Sequence, residues 1–128
     1  MNAASRLFLP TLLLLATVAS LFGCSMCADK PGPQASSPDK LLAAVTTYRN
    51  CGATTSEYTK VTLQPSADNH CDITQIIFTV RYHHDISLSW KDSSELIVNC
   101  TTCVSKDIEL QTTKFRSVTI TYVLGPAA

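Results

Sequence analysis

Apolar and polar residues alternate with a period of two along most of the chain beyond residue 57. Such alternation, rich in β-branched and aromatic residues, is typical of strands that bury one face. It is clear over residues 76–82, 86–90, 96–100 and 118–124, and weaker over 44–49, 58–63 and 104–110. About seven short strands and almost no helical periodicity predict an all-β chain, a small antiparallel β-sandwich stapled by disulfides. Residues 40–45 fit either a helical turn or the beginning of the first strand.

One face of each predicted strand is apolar and is expected to point into the sandwich. The inward residues are predicted to be Ile76, Phe78, Val80, Ile86, Leu88, Trp90, Leu96, Val98, Val118 and Ile120. Because a solid core and a ligand cavity need the same residues, periodicity alone does not separate the two. A register that buries Leu88 also buries Trp90, so the indole is predicted to be largely buried.

The N-terminus has the layout of a secretory signal. Arg6 precedes an apolar run, Leu7–Gly23, which Pro10 interrupts and which is short for crossing a hydrocarbon core of about 30 Å. We therefore predict a signal peptide over residues 1–25, a secreted protein and no transmembrane span. In a bacterium, residues 21–24 would instead resemble a lipobox that places a lipid anchor on Cys24.

Residues 26–39 contain three prolines, a glycine and two adjacent serines. This composition predicts a flexible leader, with the β-sandwich domain over residues 40–128. The whole chain has ten basic and ten acidic side chains and a net charge of zero. Nucleic acid is therefore an unfavourable partner.

Motifs for catalysis are missing from the sequence. Its four glycines lie in no nucleophile elbow, and no paired carboxylates or Ser/His/Asp set with supporting glycines can be identified. The chain is therefore predicted to be non-enzymatic and to need no cofactor. Residues 83–85, His-His-Asp, resemble a ligand cluster, but adjacent strand residues point to opposite faces, so a turn is predicted rather than a metal site.

Six cysteines predict disulfides in an exported domain. They are Cys51, Cys71, Cys100 and Cys103, with Cys24 and Cys27 included if cleavage precedes Cys24. The Cys-x-x-Cys spacing of residues 100–103 also fits half a zinc site or a redox motif, but a strand precedes it where a redox site needs a helix N-terminus. A sequon at Asn99 predicts N-glycosylation in a eukaryotic secretory pathway.

Hairpin connections, if assumed throughout, predict the disulfide pairing. They place Cys51 and Cys100 at one pole of the sandwich and Cys71 at the other. Cys51 is then expected to bridge to Cys100 or Cys103, and Cys71 to Cys27 or Cys24.

Four short motifs follow one another within residues 48–86. They are Tyr48-Arg49-Asn50-Cys51-Gly52, Val61-Thr62-Leu63-Gln64-Pro65, Cys71-Asp72-Ile73 and Phe78-Thr79. Together they resemble the opening of an MD-2-related lipid-recognition domain. The resemblance implies a two-sheet sandwich that holds a lipid between its sheets without catalysis. We therefore expect a secreted binding protein for a lipid or other small apolar ligand. The alternative is a secreted effector or inhibitor that binds an extracellular protein through loops or an edge strand.

Overall fold

The computed structural model describes residues 27–52, 56–66 and 74–126. The predicted signal peptide, Cys24 and Cys71 lie outside the described residues. Nine strands and one short 3-10 helix, Ser105–Asp107, make up the regular structure of the described part. The strands are β1 Ala28–Ser36, β2 Leu42–Asn50, β3 Tyr58–Pro65, β4 Gln75–Arg81, β5 Ser87–Asp92, β6 Glu95–Cys100, β7 Ile108–Gln111, β8 Lys114–Phe115 and β9 Val118–Leu124.

The strands form two sheets, which confirms the predicted all-β sandwich. One sheet has the order β1-β2-β3-β4-β7 and is antiparallel throughout, and the other has the order β5-β6-β9-β8. Within the second sheet β6 and β9 pair in parallel, from Glu95 opposite Thr119 to Cys100 opposite Leu124. A parallel pair needs a crossover rather than a hairpin, and here the chain passes through β7 of the first sheet between the two strands.

The predicted flexible leader is wrong over Ala28–Ser36, because this segment is strand β1. It pairs with β2 over nearly its full length, from Ala28 opposite Asn50 to Ser36 opposite Ala43. Proline lacks the N–H that a sheet needs, but β1 is an edge strand, and its register shifts between Pro31 and Gln34. The folded domain therefore begins before Lys40.

A register shift in β4 changes which isoleucine is buried. Val61 of β3 lies opposite Phe78 and Thr62 lies opposite Ile76, so Ile77 is an extra residue on β4. Ile77 and Phe78 both have no exposed surface, whereas Ile76 is 42% exposed. The prediction of Ile76 as an inward residue is therefore wrong, and Ile77 takes its place.

The core lies between the two sheets. Seven of the ten residues predicted to face inward are buried, while Leu88 and Trp90 are partly buried against the core. The buried apolar residues are Ala44, Val61, Leu63, Ile77, Phe78, Val80, Ile86, Leu96, Val98, Cys100, Cys103, Phe115, Val118 and Ile120.

Tyr122 connects the two sheets through its hydroxyl. This atom lies 3.0 Å from the carbonyl oxygen of Ile77 and 2.6 Å from that of Thr112. Burial raises the pKa of Tyr122, so the hydroxyl stays protonated and can donate to these acceptors.

Trp90 is half-buried rather than largely buried, because it closes one side of the sandwich. Its Nε1 donates a hydrogen bond of 2.9 Å to the carbonyl oxygen of Ala35 in β1. Nearby, the backbone N–H of Asp39 donates to Ser93 Oγ at 3.1 Å. Edge strands β1 and β5 of the two sheets therefore meet along this side.

We expect Trp90→Phe to lower the free energy of unfolding by about 1–2 kcal/mol. The change keeps an aromatic ring but leaves the Ala35 carbonyl without its donor. Urea unfolding measures the loss, and Ser89→Ala on the exposed face of the same strand should stay within about 0.5 kcal/mol of wild type. Equal stability of Trp90→Phe and wild type would contradict a role for the indole N–H.

The disulfides differ from the predicted pairing. Cys27 bonds to Cys51, and Cys100 bonds to Cys103. The prediction failed because it left β1 out: pairing of β1 with β2 brings Cys27 beside Cys51. Cys27 is therefore not the partner of Cys71.

Candidate functional site

A cleft of about 370 Å³ lies at the pole of the sandwich where β2 ends and β3 begins. It is bounded by the start of β1, the end of β2, and the segment that crosses from β4 to β5. The lining residues are Ala28, Lys30, Tyr48, Arg49, Asn50, Gly52, Glu57 and His83.

Two stacked rings form the aromatic part of the cleft. Tyr48 follows the buried residues Ala44 and Thr46 on the inward face of β2. His83 reaches it from the crossing segment, and the ring centroids are 4.1 Å apart with planes inclined by 24°. The His83 side chain is 51% exposed and Tyr48 is half-buried, so the rings remain accessible to a ligand.

Gly32 on β1 makes room for the Tyr48 ring. A Cβ atom at this position would lie 2.8 Å from Cε2 of Tyr48 and 3.1 Å from Cβ of Thr46. Any larger residue would therefore displace the ring. Burial raises the pKa of Tyr48, with a smaller contribution from the charge of Asp85, so its hydroxyl is neutral and can donate.

Two charged side chains of the cleft, Lys30 and Glu57, have no partner of opposite charge among the described residues. Arg49 Nε lies 3.1 Å from Asp29 Oδ1, and Asn50 Nδ2 donates to Glu57 Oε1 at 3.0 Å. Among the residues that the structure describes, no carboxylate pairs with the Lys30 ammonium. The cleft therefore combines an aromatic surface with one unpaired cation, Lys30, and one carboxylate, Glu57, that is hydrogen-bonded but keeps its charge.

The predicted cavity between the sheets is not this cleft. None of the ten residues predicted to line a cavity or core borders it. Most of them pack against one another in the core. The sequence did not predict Lys30 as a site residue, because the segment that forms β1 was expected to be a flexible leader. Tyr48 was named in the sequence analysis only as part of the lipid-recognition resemblance.

The rings of His83 and His84 do not converge. His83 contacts Tyr48 in the cleft, whereas Nδ1 of His84 lies 2.8 Å from Thr102 Oγ1 beyond the end of β6. An imidazole nitrogen of His84 and the sulfurs of Cys100 and Cys103 all lie within 4.8 Å of one another. This group has the atoms of a metal site, but its sulfurs are bonded to each other.

Asn99 lies on the central strand β6, opposite Ser87 of β5 and Val123 of β9. Its side chain is half-buried on the outer face of the sheet. Glycosylation at this residue stays a prediction.

No family model matches the chain, and searches of curated proteins and of solved structures gave no significant match. The relationship to MD-2-related domains therefore stays a prediction. In the described part of the chain, no helix is long and apolar enough to cross a membrane.

Proposed function

We propose that this chain is a secreted, non-enzymatic protein that binds a small amphipathic anion in the cleft beside Tyr48. The observation that carries the proposal is the stacked pair of Tyr48 and His83 beside the uncompensated Lys30 ammonium. The rings would contact a flat or apolar part of the ligand, and Lys30 would contact its anionic group. This class includes a lipid with an anionic head group, the kind of ligand that the lipid-recognition resemblance implies.

The size of the cleft supports a small-molecule ligand. Small-molecule sites typically have volumes of about 300–1,000 Å³, with an apolar lining and a few polar groups that fix orientation. The cleft, at about 370 Å³, is near the lower end of this range. A ligand that fills the cleft would occupy the pole of the sandwich and leave the core unchanged.

The Lys30 ammonium gives the cleft a contact for the anionic group of a ligand. Asp29 already neutralises Arg49, and Asn50 already donates to Glu57. A ligand anion would therefore meet Lys30 without displacing an existing ion pair. Because the Glu57 carboxylate also lines the cleft and keeps its negative charge, the anionic group is expected at Lys30 and away from Glu57.

Secretion is part of the same proposal. Disulfides persist in oxidising compartments, and Cys27–Cys51 and Cys100–Cys103 support export. In a eukaryotic host, N-glycosylation at Asn99 would be consistent with this route.

Fluorescence titration with two probes tests the cleft. Anilinonaphthalene sulfonate carries an aromatic body and an anionic group, whereas N-phenylnaphthylamine has a similar body without the charge. We expect Lys30→Ala to weaken binding of the sulfonate about tenfold, the effect of losing one hydrogen bond to a charged group, without affecting the neutral probe. Tyr48→Ala should weaken both probes about tenfold, because it removes the stacking surface.

Lys114→Ala is the matched control, since Lys114 is exposed and lies outside the cleft. It should bind both probes as wild type does. Near-ultraviolet circular dichroism of each variant establishes that the native packing is kept. Wild-type affinity for the sulfonate in both Lys30→Ala and Tyr48→Ala would contradict the proposal.

The alternative, an effector or inhibitor that binds another protein, rests on exposed apolar side chains in loops. Leu41 is 54% exposed and Tyr82 is 51% exposed. Addition of a partner strand is less favourable at each of the four sheet edges. Strand β1 carries Pro31 and Pro33, β7 has four residues, β8 has two, and β5 lies against β1, where Trp90 donates to Ala35. A partner that contacts the loops would bind Lys30→Ala as tightly as wild type and Tyr82→Ala more weakly.

A further inference from the structure

We propose that the Cys100–Cys103 bond can be opened, and that the resulting dithiol and His84 form a three-ligand site for a thiophilic metal ion such as Zn²⁺. The site is separate from the cleft and does not depend on its ligand. It would make the oxidised protein metal-free and the reduced protein metal-binding.

The two cysteines lie on one turn at the end of β6. Their Cα atoms are 5.4 Å apart, and the N–H of Cys103 donates to the carbonyl oxygen of Cys100 at 3.2 Å. The N–H of Gly125, after β9, donates to the carbonyl oxygen of Cys103 at 2.9 Å. These two main-chain hydrogen bonds hold the turn in place. Opening the disulfide would therefore leave both sulfurs near their present positions.

His84 supplies the third ligand. Its backbone N–H donates to Thr59 Oγ1 at 3.0 Å, which ties the crossing segment to β3. An imidazole nitrogen lies within 4.8 Å of both sulfurs, so a small movement of each atom would bring all three to bonding distance of one ion. No other group of three such ligand atoms is found in the described part of the chain.

The two nitrogens of the imidazole have different surroundings. Nδ1 lies at hydrogen-bond distance from Thr102 Oγ1, whereas Nε2 is buried and has no hydrogen-bond partner among the described residues. Metal-bound histidines commonly use one nitrogen for the metal and the other for a hydrogen bond that orients the ring. The His84 ring therefore lacks a partner at Nε2, while Thr102 orients it through Nδ1.

The chemistry requires a reductant, and we assign this role to a dithiol. The S–S bond gains two electrons and two protons, and the dithiol becomes a disulfide. When the metal binds, the two thiols lose their protons to solvent and become thiolates. Two sulfurs and one nitrogen leave a fourth position for water. Cys100 and Cys103 have no exposed surface, so a dithiol reaches the bond when the turn that carries the exposed residues Thr101 and Thr102 opens locally.

Cobalt(II) titration of the full chain, with and without prior reduction by a phosphine, tests the proposal. Reduced protein should bind cobalt with a near-ultraviolet thiolate charge-transfer absorption and the visible bands of a tetrahedral site, and Zn²⁺ should displace it. Oxidised protein should show neither band. A reduced protein without these bands would overturn the proposal.

Neighbouring residues provide the matched controls. His84→Ala should weaken cobalt binding at least tenfold, whereas His83→Ala, one residue away and in the cleft, should bind as wild type does. Both variants keep every cysteine, so their folding can be verified in the oxidised form before reduction. Equal affinities of these two variants would overturn the assignment of His84.

The second cysteine pair is tested separately. Cobalt bands should persist when Cys27 and Cys51 are replaced by serine, and they should disappear when Cys100 and Cys103 are replaced. The opposite pattern would overturn the proposal, because it would place the metal on the bridge between β1 and β2.

Discussion

Phe78→Ala is expected to lower the free energy of unfolding by about 3–5 kcal/mol, a large part of the total stability of a domain of this size. The ring has no exposed surface, and its centroid lies 5.3 Å from that of Tyr122. Truncation would leave a cavity between the sheets beside the hydroxyl that connects them. Urea unfolding, followed by circular dichroism, measures the loss.

Ile76 provides the control for this prediction, because it is on the same strand and 42% exposed. Ile76→Ala should stay within about 0.5 kcal/mol of wild type, as surface substitutions usually do. Ile77→Ala, at the extra residue of the register shift, should cost about 2–5 kcal/mol. If Ile76→Ala destabilises the protein more than Ile77→Ala, the register of β4 is wrong and simple alternation holds.

The strands that the sequence predicts best are those with one buried face and little irregularity. Alternation over 118–124 matches β9, and alternation over 96–100 matches β6 within one residue. In both strands, every second side chain points into the core, so the alternation in the sequence is enough to predict the strand and its buried face. Alternation fails in β4 because one extra residue places two successive side chains on the same face.

Strand β1 could not be predicted from local pattern. Its sequence contains Pro31, Gly32 and Pro33, all of which are depleted in strands or weaken them. The segment is extended because β2 provides a hydrogen-bonding edge, which is a tertiary contact. The same contact places Cys27 beside Cys51, so the pairing prediction failed with the strand prediction.

The cleft depends on contacts between residues that are distant in sequence. Lys30, Tyr48 and His83 come from β1, β2 and the crossing segment, and no motif connects them. Sequence reasoning identified His83 and His84 as neighbours of interest, but it could not assign one ring to Tyr48 and the other to the sulfurs. That assignment follows from the path of the chain between the two sheets.

Replacement of both Cys27 and Cys51 by alanine is expected to lower the free energy of unfolding by about 3–4 kcal/mol. The bridge joins residues separated by 24 positions, and chain-entropy arguments give a stabilisation of this size for such a loop. Removing both cysteines together leaves no new thiol to exchange with the others. Unfolding in urea measures the loss.

The location of the Cys27–Cys51 bridge predicts which strand loses stability first when the bridge is removed. Cys27 immediately precedes β1, whose edge position and prolines leave it with fewer main-chain hydrogen bonds than a central strand. Without the bridge, β1 amides are expected to exchange with solvent faster, while those of the central strand β6 keep their protection. Because Ala28 and Lys30 line the cleft, the variant should also bind anilinonaphthalene sulfonate more weakly than wild type. Unchanged exchange in β1 together with wild-type stability would show that β1 is held by its pairing with β2 alone.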